Sequence, residues 1–322
     1  MAGPKRRTTG RISGENVVIE VAWLYYQDGL NQKDIADRLG ISRATVVNYL
    51  QEARERGMIR ISLAAPAFTT HRAATGLVEK FGLTAAYVIP DEGADEVETF
   101  HRVVRGAAAW LPDLLAPGDR LGLAWGKTMY DMAEATEKTR MEDVAVLQLV
   151  GSMATPYGFT AEACSTRLAQ RLGAQVYNLH APAILTNAKL AGELRAEPII
   201  HSQLARLETC NKFLFSVGTV EADSHIVGSG LATQADLDWH LEHGARGVIC
   251  GRFIDAEGHA IHGPLDDRMI GIPLENLVGL DMGILVTPGA DKTEASLAAI
   301  RGGYVSHFVT CLSVAEQLLA TD

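Results

Sequence analysis

Two lysines stand where an apolar, strand-like run gives way to a helical one, each just after a glycine. In GDRLGLAWGKTMYDMAE (118–134) the apolar run ends at Trp125, and Gly126, Lys127 and Thr128 open the next stretch. In GILVTPGADKTEASLAAIRGG (283–303), Gly289-Ala290-Asp291-Lys292 repeats the arrangement. Backbone N–H groups at a helix start, a hydroxyl and an ammonium are the parts of an anion cradle, suited to a phosphate or to polyol oxygens. Lys292 also opposes the dipole of its own helix, so an anionic ligand accounts for it better than helix stability does. The plain alternatives are a structural turn at Gly126 and surface pairing of Lys292 with Asp291 or Glu294. Two further loops carry groups able to hold sugar hydroxyls: 213–230 with Asp223 and His225, and 250–268 with Asp255, His259, His262 and Asp267. His259 and His262 have no third ligand at a suitable spacing, so no metal site is expected. Asp266, Asp267 and Arg268 read as a solvated turn with a local ion pair.

A different chemistry lies in NQKDIADRLGISRATVVNYLQEARERG (31–57). Asn31 can cap a helix whose inward positions are Ile35, Ala36 and Leu39, and Gly40 supplies the turn that ends it. Ser42 can cap a second helix, with Val46, Val47 and Leu50 as its apolar contacts. The spacing of Ala36, Gly40 and Val46 is that of a helix-turn-helix. It turns Ser42, Arg43, Ala44, Thr45 and Asn48 toward base edges in a DNA groove. From Glu15 onward, Val18, Val21, Ala22, Leu24 and Tyr25 give a supporting helix one apolar side. After Gly57, MIRISL (58–63) alternates as a short strand and suggests a winged variant. Arg54, Arg56 and Arg60 then become candidate phosphate contacts, or simply a solvated helix end. The basic arm with Lys5, Arg6, Arg7 and Arg11 reads equally as a DNA-following segment and as a solvated tail.

The anion loops must be held by a larger body. Residues 64–70, AAPAFTT, read as a linker, and apolar runs then recur at 85–89, 120–125, 144–150, 174–179, 213–220, 246–253, 283–287 and 305–310. Helical stretches at 96–111, 128–137, 160–172, 234–243, 291–301 and 312–320 fall between most of them. Strands and helices in alternation predict a doubly wound, mostly parallel α/β sheet over residues 71–322, with ligands beyond the strands' C-terminal ends. Charge divides the same way. Residues 1–63 hold ten Lys/Arg against seven Asp/Glu, a balance of +3, whereas the remainder holds 19 against 32, or −13. Only the first segment suits phosphate backbone. No apolar run approaches the ~20 residues of a membrane span, and Cys164, Cys210, Cys250 and Cys311 form no C-x-x-C pair. Cytoplasm is the expected compartment.

The segments VAWLYYQDGLNQKDIADRLGISRATVVNYLQEARERGMIRISL, GDRLGLAWGKTM, GRFIDAEG and GADKTEASLAAIRGGYV resemble, over nearly the full length, the SorC family of bacterial sugar-responsive transcriptional regulators. The resemblance implies a winged helix-turn-helix domain (1–63), then an effector domain similar to ribose-phosphate isomerase and glucosamine-phosphate deaminase. It also implies operator DNA, a sugar, polyol or sugar-phosphate effector, and a homotetramer. The effector would lie against Gly126, Lys127, Thr128, Asp223, Asp255 and Lys292. Asp223-Ser224-His225 looks like the start of the deaminase's acid–base loop, but the following HIVGSG lacks its carboxylate. LQLVGSM (147–153) likewise lacks the aspartate that the deaminase carries after its second strand. Val150 stands where some relatives hold an aldehyde through a lysine. Since acid–base work on a sugar needs a placed carboxylate, no catalytic residues and no cofactor are expected. A phosphosugar isomerase or deaminase with a DNA-binding extension is the alternative, and a DNA-binding scaffold with an empty pocket is a third reading.

Overall fold

The computed structural model describes residues 14–59, 66–153, 155–221 and 224–321. The chain divides into two units, Met1–Leu63 and Ala64–Asp322. The first contains α1 (Gly14–Tyr26), α2 (Gln32–Leu39) and α3 (Arg43–Glu55). Asn31 Oδ1 accepts the N–H groups of Lys33 and Asp34 at 3.0 Å each, which fixes the start of α2. Gly40 ends it at φ 66°, a left-handed conformation that glycine adopts at little cost. Ser42 Oγ then accepts the Thr45 N–H at 3.0 Å and starts α3. Val21, Leu24, Ile35, Ala36, Val46 and Leu50 form the shared core. Val47, expected in that core, is 41% exposed. The 3.6-residue period keeps 46 and 50 on one face and turns 47 away from it. Met58 and Ile59 pack with Val18, Ala22 and Ala53. The rest of the expected wing strand, with Arg60, and the basic arm lie outside the described residues.

The second unit opens with α4 (Pro66–Thr69) and α5 (Arg72–Phe81) before β1 (Ala85–Ile89). Residues 66–69 were expected as linker, but Phe68 stacks on Tyr87 of β1 with ring centroids 4.8 Å apart. Burying an aromatic ring outweighs the loop-like composition around it. Then follow α6 (Glu96–Trp110), β2 (Arg120–Leu123), α7 (Lys127–Ala135), β3 (Ala145–Gln148), α8 (Ala161–Leu172) and β4 (Gln175–Tyr177). Next come α9 (Ala188–Ala196), α10 (Pro198–Leu207), β5 (Lys212–Phe215), α11 (His225–Gly228) and α12 (Gln234–Glu242). The chain finishes with β6 (Gly247–Ile249), β7 (Arg252–Ile254), β8 (Met282–Thr287), α13 (Thr293–Arg301), β9 (His307–Cys311) and α14 (Leu312–Ala320).

Seven strands form one parallel sheet in the order β1-β9-β8-β5-β2-β3-β4. Leu121, Val146, Leu147, Phe213, Phe215, Leu285 and Phe308 are fully buried on it, as the apolar runs required. From β2 the chain winds outward through β3 to β4, then returns to β5 on the other side of β2. The order in which the strands are added therefore reverses between β2 and β5, and the crevice beyond their C-terminal ends is where such sheets bind ligands.

RGVICGRF (246–253), expected as one strand, is a separate antiparallel hairpin of β6 and β7. Its two connecting residues, Cys250 and Gly251, have φ of 50° and 79°. Both are left-handed, as a type I′ turn requires, and a cysteine in the first position hides that turn from a reading by residue type. Asp266 is not in a solvated turn with Arg268 either. Its Oδ1 lies 2.6 Å from Arg252 Nη1, both side chains 11% exposed, while Arg268 reaches Asp236 of α12 at 2.6 Å. All four cysteines are free and buried. No helix among the described residues is long and apolar enough to cross a membrane.

Candidate functional site

A cavity of about 970 Å³ opens at the C-terminal ends of β1, β9, β8, β5 and β2. Gly126 links β2 to α7 at φ 123°, ψ 174°, a conformation essentially restricted to glycine. No side chain caps α7, so the N–H groups of its first turn are open to a ligand. Behind them Thr128 is 3% exposed, and its hydroxyl has no hydrogen-bond partner among the described residues. Ser216 and Ser224, on the same wall, carry buried hydroxyls that are likewise unpartnered.

Lys292 enters from the loop after β8 and lines the cavity. Its half-buried side chain makes no ion pair among the described residues, for Glu294 is taken by Arg246 at 3.0 Å. Burial pushes its ammonium below the ordinary lysine value; the Asp291 charge opposes this and that of Lys127 adds to it. A bound anion would restore the charged form. Lys127 is differently placed. Its ammonium lies 2.6 Å from Asp131 Oδ2 and 3.8 Å from the centroid of the Phe100 ring. One of the two expected cations is thus already neutralised by its own helix, and the other makes no ion pair among the described residues.

The remaining expected residues separate. Asp255 does not line the cavity. Its Oδ1 accepts the N–H groups of Glu257 and His259 at 2.9 and 2.8 Å, closing the turn after β7. A local turn satisfies this carboxylate, so it is not available to sugar hydroxyls there. Asp223 lies outside the described residues. His225 is in the cavity wall, its ring 5.2 and 5.7 Å from those of Tyr157 and Phe159. His262 pairs with Glu275 at 2.8 Å and His259 lies 3.4 Å from Asp255. Sequence reasoning missed Ser216, which directly follows β5; only its position at the end of a buried strand could have marked it.

In the first unit, Ser42, Arg43, Ala44 and Asn48 are exposed along the start of α3, and Thr45 is half-buried. The Ser42 hydroxyl is spent on the cap and on Thr45 Oγ1 at 2.8 Å. Arg43 Nε donates to Gln32 Oε1 at 3.2 Å, a single exposed bond that a base edge can replace. Arg54 donates to Tyr26 Oη at 2.9 and 2.6 Å, which ties it to α1, and Arg56 pairs with Glu52 at 2.9 Å.

Residues 65–320 match the Sugar-bind model, that of a sugar-binding domain, and residues 21–65 match the MarR family model. Over 321 residues, 98% of each chain, the sequence is 35% identical to the transcriptional regulator YjhU of Escherichia coli K12. The fold superposes on the full-length sorbitol operon regulator SorC from Klebsiella pneumoniae with TM-score 0.79 at 23% identity, covering 96% of this chain and 99% of that one. The chain belongs to the SorC family of bacterial sugar-responsive transcriptional regulators. A second relative, the deoxyribonucleoside regulator of Bacillus subtilis, is 30% identical over 306 residues, 95% of this chain and 97% of that one. As a SorC-family member the protein pairs a helix-turn-helix with a sugar-binding domain, and is a DNA-binding transcriptional regulator that responds to a small-molecule effector.

Proposed function

We propose that the protein is a cytoplasmic, non-enzymatic regulator of carbohydrate metabolism, assembled as a homotetramer mainly through residues 71–322. Its operator affinity changes when a sugar, polyol or sugar phosphate fills the cavity of the second unit. The observation that carries this reading is the convergence of Gly126-Lys127-Thr128 and Gly289 to Lys292 on one cavity. That cavity is lined by an ammonium with no ion pair among the described residues, an uncapped helix start and unpartnered hydroxyls. The anionic group of the effector lies near Lys292, Thr128 and the α7 N–H groups. Its hydroxyls lie toward Ser216 and Ser224, with Asp223, next to Ser224 in the sequence, as a further candidate. Operator bases are read by Arg43 and Asn48, with Ala44 and Thr45 against the groove and Arg54 and Arg56 beside the phosphates.

An effector shifts operator affinity only by its differential binding to the two states of the protein. Lys292→Ala therefore folds and binds operator normally without effector, but needs far more effector to respond. A phosphorylated effector suffers more than its unphosphorylated analogue, because the lost contact is charge-assisted. Titrating operator binding of wild type and Lys292→Ala with sugars, polyols and their phosphates tests this, and equal midpoints would remove Lys292 from the site. The sequence HIVGSG, without a carboxylate after His225, favours regulator over enzyme. Coupled isomerase and deaminase assays on the same sugar phosphates are expected to show no turnover.

A further inference from the structure

The helical period of α3 sends Val46, Leu50 and Ala53 inward, where they are buried. Arg43, Ala44, Val47, Asn48 and Gln51 are exposed. At about 100° per residue these five share an arc of roughly 140°. Val47 lies well inside that arc, with Arg43 on one side of it and Ala44 and Asn48 on the other. Its side chain is 41% exposed. Among the described residues it belongs to neither hydrophobic cluster that joins α3 to α1 and α2. The polar side chains around it have local uses. Gln51 donates to Glu55 at 2.8 Å and Arg43 to Gln32 at 3.2 Å.

A valine at this position does nothing for the isolated unit. Its β-branch lowers helix propensity slightly, and its methyl groups remain in water, where they gain no burial. On a face that reads DNA, an apolar side chain has a distinct counterpart. Every base pair offers hydrogen-bonding edges in the major groove, but of the four bases only thymine presents a methyl group there. Four residues along a helix span about 6 Å and one base-pair step about 3.4 Å. Val47 therefore reaches one or two steps from the pair that Arg43 reads. We infer that Val47 packs against the C5 methyl of a thymine in each half-site, one or two base pairs from the position held by Arg43. Arg43 reads a hydrogen-bonding pattern and Val47 reads a methyl group, so the two discriminate by independent chemistry. This rests on the assignment of α3 to the DNA groove and adds an apolar reading residue to it.

The test uses the full-length protein and the duplexes it selects from a random pool. Each thymine of the selected site is replaced in turn by deoxyuridine, which removes the methyl group and keeps every hydrogen-bonding edge. At one thymine per half-site, wild type is expected to bind about fourfold more weakly after the replacement, the worth of one buried methyl group. That thymine lies one or two base pairs from the position whose preference Arg43→Ala relaxes. Val47→Ala, which keeps α3 intact because alanine is the better helix former, is expected to bind thymine and deoxyuridine there equally. A methyl penalty that Val47→Ala retains belongs to Ala44 or to DNA shape and overturns the inference. So does a selected site in which no thymine within two base pairs of the Arg43 position carries the penalty. If Val47→Ala weakens every duplex equally, or changes the assembly by light scattering, Val47 faces protein instead and the inference fails. A pool from which no sequence is selected overturns the DNA-reading assignment of α3 and the inference with it. Failure at the methyl group alone leaves that assignment standing.

Discussion

Arg43 shows how little a single residue needs in order to be informative. It is exposed in the first turn of α3, and its guanidinium makes one hydrogen bond, to Gln32. A bidentate fork on guanine O6 and N7 is worth much more than that bond. Arg43→Ala is expected to cost ~1–3 kcal/mol of discrimination at one base position, read by comparing operator variants. Uniform weakening across all sequences would instead make Arg43 a phosphate contact. At the same scale, Lys127 and Lys292 look alike in the sequence and differ in the fold. One sits over Phe100 against Asp131, and the other makes no ion pair among the described residues.

Among elements, the segment after the β6–β7 hairpin depends on a charge pair that reading in order along the chain misassigned. Burial alone would raise the Asp266 carboxyl. The His240 ring, the Gly263 N–H and the Arg252 guanidinium outweigh it and hold the pKa at about 2. The His240 Nε2 stands 3.8 Å from the nearer carboxylate oxygen. A depressed pKa gives stability that is fully present above the unfolded value near 4 and is lost as pH falls toward 2. Asp266→Asn leaves Arg252 without its partner, and is expected to cost roughly 3 kcal/mol at pH 7. Denaturant unfolding at pH 7 and pH 2.5 should show the difference between variant and wild type shrinking at the lower pH. A difference independent of pH would mean that the carboxylate's charge is not what stabilises the segment.

For the whole molecule, the charge division matters most. A unit at +3 and a remainder at −13 require the acidic part to be kept from DNA while the basic part approaches it. One helix-turn-helix also offers only a short base-reading surface. Symmetric copies engage repeated half-sites and gain through effective concentration. The full chain is therefore expected to run as a tetramer by light scattering, and residues 1–63 alone to bind operator far more weakly. A full-length monomer at operator-binding concentrations would refute the assembly.

By itself the sequence determined what is local. Asn31, Gly40 and Ser42 cap and turn their helices through neighbours two to four residues away. Buried strands announce themselves by continuous apolar runs, and Gly126 marks a turn only glycine can make. These signals were legible because their physics is settled within a few residues of chain. Tertiary structure decided what depends on distant partners. Pro66–Thr69 became part of the second unit because Tyr87 offered Phe68 a ring to stack on. Lys292 makes no ion pair with Glu294 because Arg246 holds that carboxylate. The cavity lining comes from loops after β1 and β5 and from α14, which only the strand order β1-β9-β8-β5 brings round one cavity. Even Asp255, quoted in the sequence beside plausible ligands, was claimed by the backbone of its own turn. A side chain's chemistry is written in its type. Whether that chemistry is spent or available depends on the neighbours that folding supplies.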